Sequence, residues 1–162
     1  MDEFFSKDPS LTWETLRFLL FRSKVLTDIA LFKGQLGITI IFYEFSRYAQ
    51  DPLFEQLADE QIEFVLTIPN NLPVGMDGLS GIGWGITYLF RYEYVEGDMN
   101  EVLLTIDKGI NTHENLTNDN RKDIHDYQHY RQEGDINMEK RFLSRLWTYW
   151  ANIASTKPVI DL

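Results

Sequence analysis

Two glycine-led stretches decide the fold: Leu31-Phe32-Lys33-Gly34-Gln35-Leu36-Gly37-Ile38, and Gly78-Leu79-Ser80-Gly81-Ile82-Gly83-Trp84-Gly85-Ile86. A shift of 44 residues lays Gly34 on Gly78, Gly37 on Gly81 and Ile38 on Ile82, and carries Arg47 onto Arg91 and Tyr48 onto Tyr92. Each stretch opens an apolar helical run. The first starts near Gln35 and carries Ile38, Ile41, Phe42, Phe45 and Tyr48. The second, from about Ile82 to Tyr92, is apolar on nearly every side and is expected to be buried all round.

An amphipathic helix opened by an aspartate follows each run. Asp51 can cap free N–H groups ahead of Pro52, whose missing N–H costs nothing there, and Phe54, Leu57, Ala58, Ile62 and Val65 form the apolar face. Asp98 and Glu101 have capping-box spacing, with Val102, Leu103, Ile106 and Ile110 turned inward. An oily inner helix sheathed by a half-polar outer one, repeated after roughly 40 to 50 residues, is the pattern of an α/α toroid or solenoid. Glycine at the start of each inner helix removes a side chain where loops crowd.

The chain is therefore expected to be all-α, a partial α/α toroid of two αα-hairpin repeats, about 31–67 and 76–110, within one domain spanning 1–162. An N-terminal helix after Pro9-Ser10, with Trp13, Leu16, Leu19 and Leu20 on one side, brackets one end. The other end carries a helix over about 138–153 with Phe142, Leu143, Leu146, Trp147, Trp150 and Ile153 on one face. Pro69, Asn70, Asn71, Pro73 and Gly75 mark a loop, and the segment 111–137 is a polar stretch whose order the sequence leaves open. Two units cannot close a ring, so the end helices are expected to act as caps, and a homodimer or a larger partner to cover what they leave.

Composition narrows the function classes. Hydrophobic residues make up 44% and aromatics 14%, enough for a packed core in 162 residues. With 15 Lys+Arg against 25 Asp+Glu the net charge is −10, which repels phosphate backbones and anionic lipids; no nucleic-acid or membrane partner is expected. The absence of cysteine excludes disulfides, thiolate-bound metals and a thiol nucleophile. Met1-Asp2-Glu3-Phe4-Phe5 lacks the basic start of a signal peptide, and the run from Leu36 to Phe45 is interrupted by Thr39 and Glu44, so the cytoplasm is the expected compartment.

The quoted stretches also resemble a known family. Leu31 to Ile38, followed by Tyr43, Tyr48 and Asp51-Pro52-Leu53, resembles the first repeat of lanthionine synthetase C-like proteins. Gly78 to Ile86, with Tyr88-Leu89 and Val95-Glu96-Gly97-Asp98, resembles the next glycine repeat, so the likeness covers about residues 11–110. It is closest to variants found beside peptide-modification genes in gut-type bacteria. The resemblance implies an α/α toroid. In the family's cyclases, zinc held by two cysteines and a histidine activates a cysteine thiol for addition to a dehydrated serine or threonine. Here those ligand motifs are missing, and Lys33-Gly34 stands where the family commonly has His-Gly. The resemblance then implies a non-catalytic module without cofactor that binds a peptide or a peptide-modifying partner. The alternatives are a cyclase subunit whose zinc site another chain supplies, and an α/α-toroid carbohydrate-active enzyme.

Candidate site residues follow from residue type and spacing. His125 and His129 would share a helix face and could grip one metal, with a third ligand from Asp123, Asp126 or Glu133. Arg47 and Arg91, equivalent in the two units, could orient an acidic peptide or pin carboxylates on neighbouring outer helices. Glu44, Asp77 and Glu93 are the carboxylates a glycosidase-like site would use, although Asp77 beside Gly78 also suits a cap. Trp84 is expected in the core, whereas Trp147 and Trp150 form a stripe docked on the chain's own repeats or offered to a partner.

Overall fold

The computed structural model describes residues 1–69 and 71–156. Asn70 of the expected loop, and the last six positions of the expected domain, lie outside the described residues. Among the described residues there are eight α-helices and no strand: α1 (Asp2–Lys7), α2 (Pro9–Val25), α3 (Gln35–Ala49), α4 (Pro52–Val65), α5 (Leu79–Arg91), α6 (Met99–Thr112), α7 (Asn118–Glu133) and α8 (Ile136–Thr156). None is long and apolar enough to cross a membrane.

Helix starts follow their side-chain chemistry. Asp8 caps α2 through the Leu11 N–H at 3.0 Å, Asp51 caps α4 through the Leu53 N–H at 3.0 Å, and Asp98 caps α6 through the Asn100 N–H at 2.9 Å. The inner helices α3 and α5 have bare N-caps at Gly34 and Gly78, the pair related by the shift of 44. Both need glycine because the preceding loop folds back on the helix start. A Cβ on Gly34 would sit 2.3 Å from the Ala30 nitrogen, and one on Gly78 would sit 2.0 Å from the Pro73 oxygen. Gly37 and Gly81 meet the Leu31 and Met76 carbonyl oxygens at 2.1 and 1.9 Å in the same way.

Helix α3 is buried from Gln35 to Ser46 and α5 from Leu79 to Leu89, so the oily helices form the centre. Helix α4 covers one side of α3, with Phe54 against Phe42 (5.6 Å between ring centroids) and Phe45 (4.8 Å). Helices α6 and α7 cover α5, and Gly83 lets the Tyr127 ring of α7 within 2.6 Å of where a Cβ would stand. Gly85 does the same for Leu36 of α3, also at 2.6 Å. Helix α8 packs along α2 and also reaches the central helices. Its Phe142 touches Trp84 (4.8 Å) and Phe32 (5.5 Å), Leu146 fills the space above Gly37, and Trp147 meets Phe5 of α1 (5.2 Å). Full burial of side chains of this size contributes roughly 1.5–3 kcal/mol each.

The structure adds to the sequence reading at three points. The polar segment 111–137, left open by the sequence, contains α7, a capped helix in which the Thr117 hydroxyl accepts from Asn120 N–H (3.1 Å) and the Asn120 side chain accepts from Thr117 N–H (3.2 Å). Its buried residues are only Tyr127 and Tyr130, too few to produce an apolar period. Residues 2–7 form α1, which the sequence reading missed because six residues carry little periodic signal. Trp13 does not lie on the buried side of α2; it is 54% exposed, with its ring T-shaped to Phe45 at 5.4 Å between centroids.

Candidate functional site

The densest polar chemistry lies where α3, α5 and α7 end and α8 begins. Glu44, buried on α3, accepts at Oε1 from the Tyr88 hydroxyl of α5 and from the Tyr94 hydroxyl at 2.8 Å. Glu139, buried on α8, accepts from the Tyr130 hydroxyl of α7 at 2.8 Å and from the Tyr92 hydroxyl at 2.5 Å. The Tyr88 and Tyr92 rings are 4.7 Å apart and join the two clusters. Nearer the outer helices, Tyr43 donates to Asp59 at 2.7 Å, and Tyr127 donates to Asp107 at 3.0 Å beside the Arg131–Asp107 ion pair at 2.6 Å.

These tyrosines are held protonated. Burial, then the adjacent Glu44, pushes Tyr88 and Tyr94 far above the ordinary phenol value. Burial and the bond to Glu139 do the same for Tyr130 and push Tyr92 up to about 12. Burial with Asp59 raises Tyr43, and burial with Asp107 raises Tyr127. A neutral phenol donating to a buried carboxylate is a stable arrangement in a site of low polarity. It leaves Glu44 an acceptor tied within the fold, whereas Asp77 and Glu93 are exposed.

Arg47 and Arg91 are placed alike, one at the end of each inner helix. Arg47 donates to the Tyr92 carbonyl at 2.6 Å with its guanidinium 3.6 Å from the Tyr94 ring centre. Arg91 donates to the Tyr130 carbonyl at 2.9 Å and lies 5.2 Å from the Tyr130 ring centre. The acceptors are carbonyls at the C-terminal ends of α5 and α7, not carboxylates on the outer helices. Both arginines remain exposed at one edge of the bundle.

His125 and His129 do share a face of α7, their rings parallel with centroids 6.2 Å apart. Of the expected third ligands, Asp123 accepts from the Met76 N–H at 2.9 Å, Asp126 pairs with Lys122 at 2.6 Å and lies 3.7 Å from His125, and Glu133 lies 3.7 Å from His129. Among the described residues no group of three His, Asp or Glu is placed to hold a metal ion. The zinc that the family resemblance implies finds no matching donor set among the described residues, and the sequence has no cysteine.

Trp147 and Trp150, 5% and 2% exposed, are docked in the chain's own core, the first of the two placements the sequence allowed, and are not offered to a partner. The open apolar surface is elsewhere. A groove of about 960 Å³ runs between α2 and α4, with Leu20, Phe21 and Val25 on one wall, Leu57 and Phe64 on the other, and buried Gln35 of α3 between them. Gln35 Nε2 donates to the Ser23 and Leu26 carbonyls at 2.5 and 2.7 Å, fixing the α2–α3 linker as one margin of this groove. The sequence reading missed the groove because it needs two helices that are not consecutive. Comparison with protein-family models, curated proteins and solved structures finds no match to this chain.

Proposed function

We propose that this chain is a non-catalytic helical-repeat module of the lanthionine synthetase C-like type, an arc of toroid architecture that binds an acidic peptide segment through Arg47 and Arg91. The observation that carries the reading is the repeated placement of these arginines. Each lies in the last turn of an inner helix, is exposed, and is oriented by a backbone carbonyl at the C-terminal end of another helix, α5 for Arg47 and α7 for Arg91. A guanidinium has five N–H donors, so one bond to a carbonyl leaves others to grip a carboxylate bidentately. The buried carboxylates nearby are occupied by tyrosine hydroxyls and do not point a reactive group at a substrate.

The test is peptide binding by fluorescence anisotropy, comparing a labelled Asp/Glu-rich peptide with a neutral peptide of equal length. The acidic peptide should bind and the neutral one should not. The double substitution Arg47→Ala/Arg91→Ala should weaken binding by about 10-fold or more, the loss of two charge-assisted contacts. Equal binding of both peptides removes the assigned ligand. Thioether formation on a dehydrated peptide by the pure chain would overturn the non-catalytic reading.

A further inference from the structure

We propose that the α2–α4 groove is the contact through which two copies of this chain pair about a two-fold axis. Phe21 and Val25 on the α2 wall are 54% and 69% exposed, and Phe64 on the α4 wall is 45% exposed. Large apolar groups clustered along one groove are the usual mark of a surface that is covered in the working state.

Charge selects the occupant. Arg17 and Lys24 line the α2 wall, and Glu60 lines the α4 wall with Glu63 one turn further on. Over its whole length α2 carries three basic residues and one acidic, while α4 carries four carboxylates and no basic residue. A peptide of either sign would satisfy one wall and oppose the other. A second copy satisfies both. In a two-fold contact the same surface is used on each side, so α2 of one copy meets α4 of the other, twice. Arg17 and Lys24 then face Glu60 and Glu63 of the second copy, and Phe21 can pack near Phe64. Elsewhere the net charge of −10 keeps copies apart, which restricts association to a face where opposite charges can be matched.

Two surface variants test this. Arg17→Glu/Lys24→Glu makes both walls acidic, and Glu60→Lys/Glu63→Lys makes both walls basic. Among the described residues no hydrogen bond or ion pair of these four side chains holds the fold, and far-ultraviolet circular dichroism should be unchanged. Light scattering over a concentration series should give the unmodified chain twice its 19.1 kDa mass. Each variant alone should dissociate with a dimer constant weaker by about 10-fold or more. Mixed in equal amounts they should pair again, because the acidic walls of one then face the basic walls of the other. A monomer mass for the unmodified chain throughout the series would overturn the proposal. So would a dimer that survives both substitutions, or a mixture that stays monomeric. These residues are distinct from Arg47 and Arg91, so failure here leaves the peptide-binding reading to its own experiment.

Discussion

Glu44 on α3 accepts a hydrogen bond from Tyr88 on α5, the residue that stands 44 positions after it. The offset that aligns Gly34 with Gly78 in the sequence thus joins two side chains in space. Equivalent points of the two units meet at the same level, which requires the inner helices to run the same way in register. Arg47 reaching the Tyr92 carbonyl extends that register to the helix ends.

Because Glu44 is buried, each tyrosine donor matters. Tyr88→Phe should cost about 1.5–3 kcal/mol, the usual range for a hydrogen bond to a charged group, and Glu44→Gln a similar amount. The double variant should lose less than the sum, with a coupling of about 1–2 kcal/mol by chemical denaturation. Additivity within about 0.5 kcal/mol would show that the pair does not hold α3 to α5.

Gly83→Ala sets helix propensity against packing. Alanine in a helix interior is favoured over glycine by about 1 kcal/mol. Here the added methyl would sit 2.6 Å from the Tyr127 ring, which is fully buried and fixed at its far end by Asp107. Overpacking of a rigid neighbour costs roughly 1–3 kcal/mol, so the net effect should be destabilising. Thermal unfolding of Gly83→Ala in a Tyr127→Leu background should recover most of the loss; an alanine variant more stable than the parent chain would contradict the contact.

The buried phenols predict a stability that fails on the alkaline side. Tyr43, Tyr88, Tyr92, Tyr94, Tyr127 and Tyr130 all have native values raised above the ordinary 10.0. Native protein therefore keeps protons that the unfolded chain releases near pH 10, and stability falls as pH rises above that point. Below about pH 10 their contribution is complete; for Tyr92 the loss runs to about 12. Phenolate absorbance followed with helical circular dichroism should show these tyrosines ionising together with unfolding. Their ionisation in a protein that keeps its full helix signal would refute the assignment.

The amount of fold legible in the sequence follows from where the information sits. Asp51-Pro52, Asp98 and the two glycine stretches are local signals, and they place α3 to α6 correctly within a few residues. Helix α7 is held by Tyr127 and Tyr130, whose hydroxyls reach Asp107 and Glu139 on other helices. A polar segment stabilised by partners distant in sequence gives no periodicity to read. The candidate site shows the same division. Arg47 and Arg91 were visible as a repeated pair, but their carbonyl acceptors were not, because Tyr92 and Tyr130 lie 45 and 39 residues further along the chain. Of the tyrosines around Glu44 and Glu139, Tyr92 was visible in the repeat and Tyr88 in the family resemblance, but the carboxylates were not visible as their acceptors.

Gly134 offers a separate handle on Arg91. Its φ of +73° lies in the region that side chains disfavour, and a Cβ there would stand 2.9 Å from Arg91 Nη1. Gly97, with φ of +127°, has nothing within 4 Å of its Cβ position. Alanine at either site incurs backbone strain of about 1–3 kcal/mol, but only at position 134 must the guanidinium move as well. Gly134→Ala should therefore be the more destabilising by about 1 kcal/mol, the scale of the one hydrogen bond to Tyr130 that is disturbed. In an Arg91→Ala background that excess should vanish, since the crowded group is gone. If the difference between the two glycines persists there, the contact with Arg91 is not its cause.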